Sequence, residues 1–288
     1  MTLDQLRIFV AVAERQHMTR AADALNLTQS AVSAAIAALE ARHDVRLFHR
    51  VGRGIELTEA GKDLLADARA VLERAAAAEQ ALADRGRLLR GRLSLVASQT
   101  IASYWLPRFL ARFSAAHRGV EIDLAIGNTA AAAERVLSGA AELGFVEGPV
   151  DDPALARWRV GEDAMQFVQA VAPGRVDIDS LRTARWVMRE RGSGTRAVLE
   201  TALAELGIDP SELTVALALP SNEAVRTAVE AGQGVAALST LVVAPSLRLG
   251  TLHALDLPLS PRPFYGLRHK ERYRTRAADT LLELIGAN

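Results

Sequence analysis

Cysteine is absent from the 288 residues, which excludes disulfides, thiolate metal sites and cysteine-based redox sensing within the chain. A net charge is absent as well, with 34 basic residues against 34 acidic ones. That balance weighs only slightly against a polyanionic partner, because a neutral chain can carry a local basic surface while its acids lie elsewhere. No apolar run approaches the roughly 20 residues that a membrane span requires. The opening stretch MTLDQLRIFVAVAERQ has acids at Asp4 and Glu14 and no basic segment ahead of its apolar residues. No secretory signal and no membrane partner are therefore expected, and the expected location is cytoplasmic. Signatures of catalysis are missing too. The GSG at 192–194 lacks the GxxxxGK(S/T) spacing of a phosphate loop, and no Ser-His-Asp or HExxH arrangement is present. His17, His43, His49, His117, His253 and His269 are scattered without metal-ligand spacing. No enzyme, cofactor or metal site is expected.

What is present concentrates in residues 19–61. Ala21, Ala22, Ala24 and Leu25 form a short helix whose alanines let a second helix cross closely, and Asn26-Leu27-Thr28 supplies a turn with Thr28 as N-cap. In TQSAVSAAIAALEARH, Val32, Ile36 and Leu39 recur at helical spacing and mark the face packed on the protein. Gln29, Ser30 and Ser33 lie off that face near the helix start. There, small hydrogen-bonding side chains reach base edges or phosphates if the helix enters a major groove, and are merely solvated if it does not. VRLFHRVGRGIELTEAG follows, with Gly52 and Gly54 permitting a tight turn between short strands and Arg50 and Arg53 beside it. A hairpin tip with two arginines suits a wing that touches phosphate backbone or a narrow minor groove.

The stretch from LRIFVAVAE through TRAADALNLTQSAVSAAIAALE to RLFHR, GRG and LTEAG resembles the N-terminal domain of LysR-type transcriptional regulators. The resemblance implies a regulator that binds double-stranded promoter DNA as a homodimer or homotetramer, senses a small-molecule effector and can contact RNA polymerase. Carried over with it are the DNA-binding candidates Thr19, Arg20, Thr28, Gln29, Ser30, Ser33, Arg50 and Arg53. Two departures stand out. Gln16-His17-Met18 occupies positions where the family commonly has Gly-Ser-Phe, leaving the next helix to start at Thr19. Ala34, Ala35 and Ala37 replace larger polar residues in the middle of the recognition helix. Direct base readout is therefore expected to be thin, with specificity drawn from DNA shape and dimer spacing.

At 288 residues, half of them hydrophobic, the chain is long enough for two or three cores. Thr58 caps a helix expected to run to residue 89, about 30 residues or roughly 45 Å. Its stripe of Leu64, Leu65, Ala68, Val71, Leu72, Ala75, Ala78, Glu79 and Leu82 needs a partner, either a second copy or the chain's own C-terminal domain. After Gly91 the segments RLSLVAS, VEIDLAIG, AELGFVEG, AMQFVQAV, ARWVMRE, TVALAL and GVAALS read as strands with helices between several of them. The fold class expected is α/β, with an N-terminal all-α winged helix-turn-helix (1–58, helix-turn-helix about 18–37) and a linker helix (59–89). A C-terminal effector domain (90–288) resembles type 2 periplasmic binding proteins. Its subdomain I covers about 90–161 and 267–288 and subdomain II about 162–266, with crossings near Val160–Asp163 and Pro263–Leu267.

In such sheets the cleft lies beyond the carboxyl ends of strands, where helix N-termini present free N–H groups. Ser98 and Thr100 follow the first strand, Asn128 and Thr129 the second, and Ser193 and Thr195 flank a glycine-rich loop opening another helix. Aimed at one cleft, these would favour a small anionic effector. Ser and Thr are also ordinary N-caps. With the family resemblance, Ser98, Thr100, Thr129, Ser193, Thr195 and Asn222 are the effector-binding candidates. Asn222 and Glu223 could equally start a helix, and Arg189 and Arg196 either balance the anion or pair with Glu190 and Glu200. The rival readings are a small-anion-binding protein or enzyme whose helix-turn-helix serves only protein contacts, and an architectural DNA protein, which would not need about 200 residues of ligand-binding-like fold.

Overall fold

In the computed structural model, which describes residues 1–51, 54–83, 89–172, 178–257 and 259–286, two units separate at residues 86 and 87. The first opens with α1 (Leu3–Arg15), fixed by a capping box in which the Thr2 hydroxyl accepts from the Gln5 N–H and the Gln5 side chain accepts from the Thr2 N–H. It ends at Gln16, whose backbone is left-handed (φ 49°). Next, α2 (Met18–Leu25) starts behind His17, whose Nδ1 accepts from the Arg20 N–H at 3.4 Å. The helix therefore begins one residue before the expected Thr19, because the imidazole does the capping. Where the family commonly has Gly-Ser-Phe, Gln16 takes the left-handed position, His17 caps and Met18 packs on the core.

Ala21 and Ala22 are fully buried, which brings α3 (Gln29–His43) close behind a turn with left-handed Asn26. The Thr28 hydroxyl caps α3 by accepting from the Ala31 N–H at 3.2 Å. Val32, Ile36 and Leu39 are buried with Leu6, Phe9 and Val12, as the periodicity predicts. Strands β1 (Phe48–Val51) and β2 (Gly54–Leu57) form the antiparallel hairpin, and its tip, with Arg53, lies outside the described residues. Glu40 ties the hairpin to α3: its Oε1 accepts from the N–H groups of Leu47 and Phe48 at 2.8 and 3.3 Å.

Thr58 Oγ1 accepts from the Gly61 N–H at 3.0 Å and so caps α4 (Glu59–Ala83). Gly61 is required there, since a Cβ would stand 2.2 Å from the Leu47 carbonyl oxygen. The 25 described helical residues span about 37 Å. Of the expected stripe, Leu64, Leu65, Ala68 and Leu72 pack on the unit's own core, whereas Val71, Ala78 and Glu79 are exposed. The expected helical reach to residue 89 includes residues 84–88, outside the described set, and Leu89 is not helical. No described helix is long and apolar enough to cross a membrane.

The second unit runs β3 (Gly91–Ser98), a π-helical turn (Ile101–Trp105), α5 (Pro107–Ala116), β4 (Val120–Gly127), α6 (Thr129–Leu137), β5 (Leu143–Val146), β6 (Leu155–Asp163), β7 (Met165–Gln169), α7 (Ile178–Thr183), β8 (Arg185–Arg189), α8 (Gly194–Glu205), β9 (Thr214–Leu219), α9 (Asn222–Glu230), β10 (Ala236–Ser239), α10 (Thr240–Leu249), β11 (His253–Ala254), β12 (Arg262–His269) and α11 (Arg276–Gly286). One sheet has the order β4-β3-β5-β12-β6. Its faces are covered by α5 and α11, through Phe109, Phe113, Leu281 and Ile285, and by α6, through Ala132 and Val136. A second layer joins β9-β8 to β10-β7-β11 through the parallel bridge Trp186↔Val235. It is packed by Leu199 and Leu203 of α8 on one side and by Val225, Val229, Val242 and Val243 on the other.

The crossings differ from the expected ones by a few residues. β6 stays in the first sheet through Asp163, and Ala164 alone separates it from β7. Residues 262–266, expected in subdomain II, belong to β12 and pair with β6 in the first sheet. Neither β6 nor β12 is among the strands read from sequence.

A non-glycine residue in the left-handed region costs about 1 kcal/mol. Gln16→Gly is therefore expected to stabilise the N-terminal unit by about 0.5–1 kcal/mol in urea unfolding. A loss of stability would show that the Gln16 side chain earns its strained backbone through contacts of its own.

Candidate functional site

On the N-terminal unit, Thr19, Arg20, Thr28, Gln29, Ser30 and Arg50 are exposed and Ser33 is half-buried. The polar groups at the start of α3 are organised rather than loose. Thr28 Oγ1 and Ser30 Oγ lie 3.0 Å apart, and Gln29 Nε2 donates to Ser33 Oγ at 2.9 Å. Arg50 stands on β1 with its partner Ile55 across the hairpin.

The second unit gathers its polar residues because β3, β4 and β5 are parallel, so their carboxyl ends share one edge. Ser98 closes β3, Thr100 follows it, Thr129 is the first residue of α6, and Glu147 follows β5. From the other sheet come Arg189 at the end of β8, Ser193 and Thr195 at the start of α8, and Asn222 at the start of α9. All six expected effector residues, Ser98, Thr100, Thr129, Ser193, Thr195 and Asn222, are buried. Asn222 and Glu223 both start a helix and reach the cleft. Asn222 Nδ2 donates to Thr100 Oγ1 at 2.9 Å, its N–H donates to Gln99 Oε1 at 2.7 Å, and Glu223 accepts from Gln99 and Tyr104 at 2.8 and 3.0 Å.

Three of the six converge on a carboxyl that sequence reading did not assign. The hydroxyls of Ser98, Thr100 and Thr195 all donate to the Glu147 carboxyl, the latter two at 3.5 and 3.4 Å. Arg262 Nη1 lies 3.6 Å from Glu147 and donates to Thr195 Oγ1 at 3.0 Å, while Nη2 pairs with Asp163. Burial pushes the Glu147 carboxyl above the ordinary carboxylate range, against the pull of Arg262 and Arg189. Asn222 Oδ1 accepts from Arg189 Nη1 at 2.6 Å, and Arg189 holds Glu190 through two bonds of 2.8 and 3.0 Å. Burial alone would raise the Glu190 carboxyl, but the bonds from Arg189 and Asn128 hold it below its usual value. Arg196 pairs with Glu200 at 2.7 Å, so both candidate counter-cations take the pairing alternative.

Thr129 and Ser193 sit apart from that network, on a cavity of about 500 Å³ also lined by Ala130, Pro149, Arg191, Gly192, Gly194 and Arg196. Here the N-terminal ends of α6 and α8 come together, each with the partial positive charge of a helix start. Gly194 allows the approach, since a Cβ on it would lie 2.5 Å from Thr129 Oγ1 and 2.6 Å from the Gly148 nitrogen. Capping does not explain these hydroxyls. Asn128 caps α6, Ser193 makes no side-chain cap bond, and Thr129 Oγ1 is buried without a partner. Among the described residues no cluster of His, Cys, Asp or Glu could hold a metal ion.

Glu147 could have been suspected from its place directly after the third parallel strand, at the edge where Ser98 closes the first. Asp163 and Arg262 carry no such local signal. They meet as direct cross-strand partners of β6 and β12, 99 residues apart in sequence.

Residues 86–288 match the family model described as the LysR substrate binding domain, and residues 3–62 match that of the bacterial regulatory helix-turn-helix protein, lysR family. An uncharacterised HTH-type transcriptional regulator, YeiE of Escherichia coli K12, is 34% identical over 289 residues, covering 98% of this chain and 96% of the relative. A probable RuBisCO transcriptional regulator of Nostoc sp. is 31% identical over 294 residues, covering 99% and 87%. Among solved structures, full-length CbnR complexed with its target DNA aligns with a TM-score of 0.71 at 22% identity over 99% of each chain, a likeness of fold.

A carboxyl whose folded pKa is raised contributes stability that is fully present below its unfolded pKa, about 4.3 for Glu, and lost as pH rises through the folded value. The Glu147 contribution should thus decline as pH rises above about 4.3. Urea unfolding of wild type and Glu147→Gln across pH 4–8 is expected to show that decline in the wild type alone. Parallel curves would mean that Glu147 titrates normally.

Proposed function

Because the chain belongs to the LysR family and is a DNA-binding transcriptional regulator with a substrate-binding domain, we propose that a small anion in the cleft of that domain is its effector. What supports this reading most is the meeting of two helix N-termini at the cavity, with Thr129 Oγ1 buried and unpartnered beside Ser193 and Arg191. Four further candidates, Ser98, Thr100, Thr195 and Asn222, are buried where the two sheets meet and do not line that cavity themselves.

In this reading Thr28, Gln29, Ser30 and Ser33 enter a major groove, with Thr19, Arg20, Arg50 and Arg53 toward the phosphates. A homodimer, or a homotetramer of two dimers, holds two such units on one promoter, and the exposed Val71 and Ala78 stripe of α4 is the natural pairing face. Effector binding shifts the angle between the subdomains and so the spacing or bending of the DNA, with RNA polymerase as the downstream partner. Nearly complete switching needs a bias of about 5.5 kcal/mol, within reach of several hydrogen bonds to an anion across a symmetric oligomer.

Thr100→Val and Ser193→Ala are each expected to weaken the response of DNA binding to the effector by about tenfold, the worth of one charge-assisted hydrogen bond, and to leave effector-free DNA affinity intact. A normal response in both variants would place the effector elsewhere. On the DNA side, Arg50→Ala should weaken binding about equally on all sequences and lower the slope of log affinity against log salt by about 0.9. An unchanged slope would remove Arg50 from the phosphate contacts.

A further inference from the structure

The hydroxyls of the inner cleft are already committed. Each of Ser98, Thr100 and Thr195 has one proton to donate, and all three are directed at Glu147. Thr100 Oγ1 and Thr195 Oγ1 also accept, from Asn222 and from Arg262. An anion that takes these protons must take them from Glu147.

Five elements set the charge around that carboxyl. Arg262 of β12 is the nearest cation, but it also serves Asp163 of β6. Arg189 of β8 is held by Glu190. The first turns of α8 and α9 contribute neutral Thr195 and Asn222. With both carboxylates ionised, one guanidinium stands between two negative charges, and a further anion would face a net negative site. A proton between Glu147 and the anion removes the repulsion and turns one contact into a donor-acceptor pair.

Building on the anionic-effector reading, we propose that Glu147 makes the cleft selective for an oxyanion that carries its own proton, whose O–H donates to the Glu147 carboxylate. A fully deprotonated oxyanion enters only when Glu147 Oε takes up one proton from water and donates it to the ligand. Proton balance then separates the two classes. Binding of the first takes nothing from solution, and binding of the second takes one proton per site.

Sulfate and phosphate are suitable probes. Both are tetrahedral, and sulfate holds no proton at any pH used here whereas phosphate keeps at least one. Isothermal titration of the full-length protein with each, from pH 5.5 to 8.5 in buffers of different ionisation enthalpy, reads affinity and proton uptake together. Sulfate affinity is expected to fall by up to about tenfold per pH unit once Glu147 ionises, with uptake approaching one proton, while phosphate is retained. Glu147→Gln, a permanent neutral donor, should flatten the sulfate profile and abolish the preference for phosphate at high pH. Should that variant fail to fold, proton uptake by the wild type alone decides. Sulfate binding with a flat pH profile and no proton uptake overturns this inference and leaves the anionic-effector reading standing, as does a pH dependence unchanged in Glu147→Gln. Binding of neither anion at any pH, to either protein, overturns the anionic reading and this inference with it.

Discussion

One guanidinium between two buried carboxylates is the constraint around which the C-terminal unit is organised. Arg262 is fully buried, with Asp163 on one side and Glu147 on the other. Breaking such an arrangement by removing one partner costs about 3–5 kcal/mol, because the remaining charges stay buried without compensation. Its location gives that cost a mechanical meaning. Asp163 ends β6 and Arg262 begins β12, the two strands by which the chain leaves and re-enters the first sheet. The same side chain reaches Thr195 at the start of α8 in the second subdomain. Any change of charge or partner at Glu147 is therefore felt at both crossings and at the far wall of the cleft.

The DNA-binding unit uses the same device at lower stakes. Glu40, on the buried face of α3, accepts the two N–H groups that open the hairpin, so the recognition helix and the wing share one carboxylate. Thr58 then links the hairpin to α4, donating to the Arg46 carbonyl at 2.7 Å while capping the helix. Wing, recognition helix and linker helix are thus held in one frame by side-chain bonds to backbone rather than by apolar packing alone.

Much of this was legible in the sequence where the signals are local. Thr28 and Thr58 as caps, the Val32, Ile36 and Leu39 face, and the three parallel strands with polar residues at their ends all follow from spacing within a dozen residues. β6 and β12 escaped because the expected crossings fall on them: LARWRVGED alternates charged with apolar residues, as a strand with one wetter face requires, and RPFYGLRH is interrupted by Pro263 and Gly266. Glu147 as the acceptor of three hydroxyls was not legible, since its partners lie 47 to 49 residues away along the chain. The expected set of cleft hydroxyls divides accordingly. Ser98, Thr100 and Thr195 serve an internal carboxyl, and Thr129 and Ser193 face the cavity.

The central claim is that this chain couples the occupancy of its cleft to its hold on promoter DNA. The most direct measurement is a footprint of the full-length protein on the DNA upstream of its own gene at fixed salt, with and without a panel of small oxyanions. A specific footprint that changes in extent or spacing with one class of anion is the predicted result. A specific footprint indifferent to every anion would contradict the coupling.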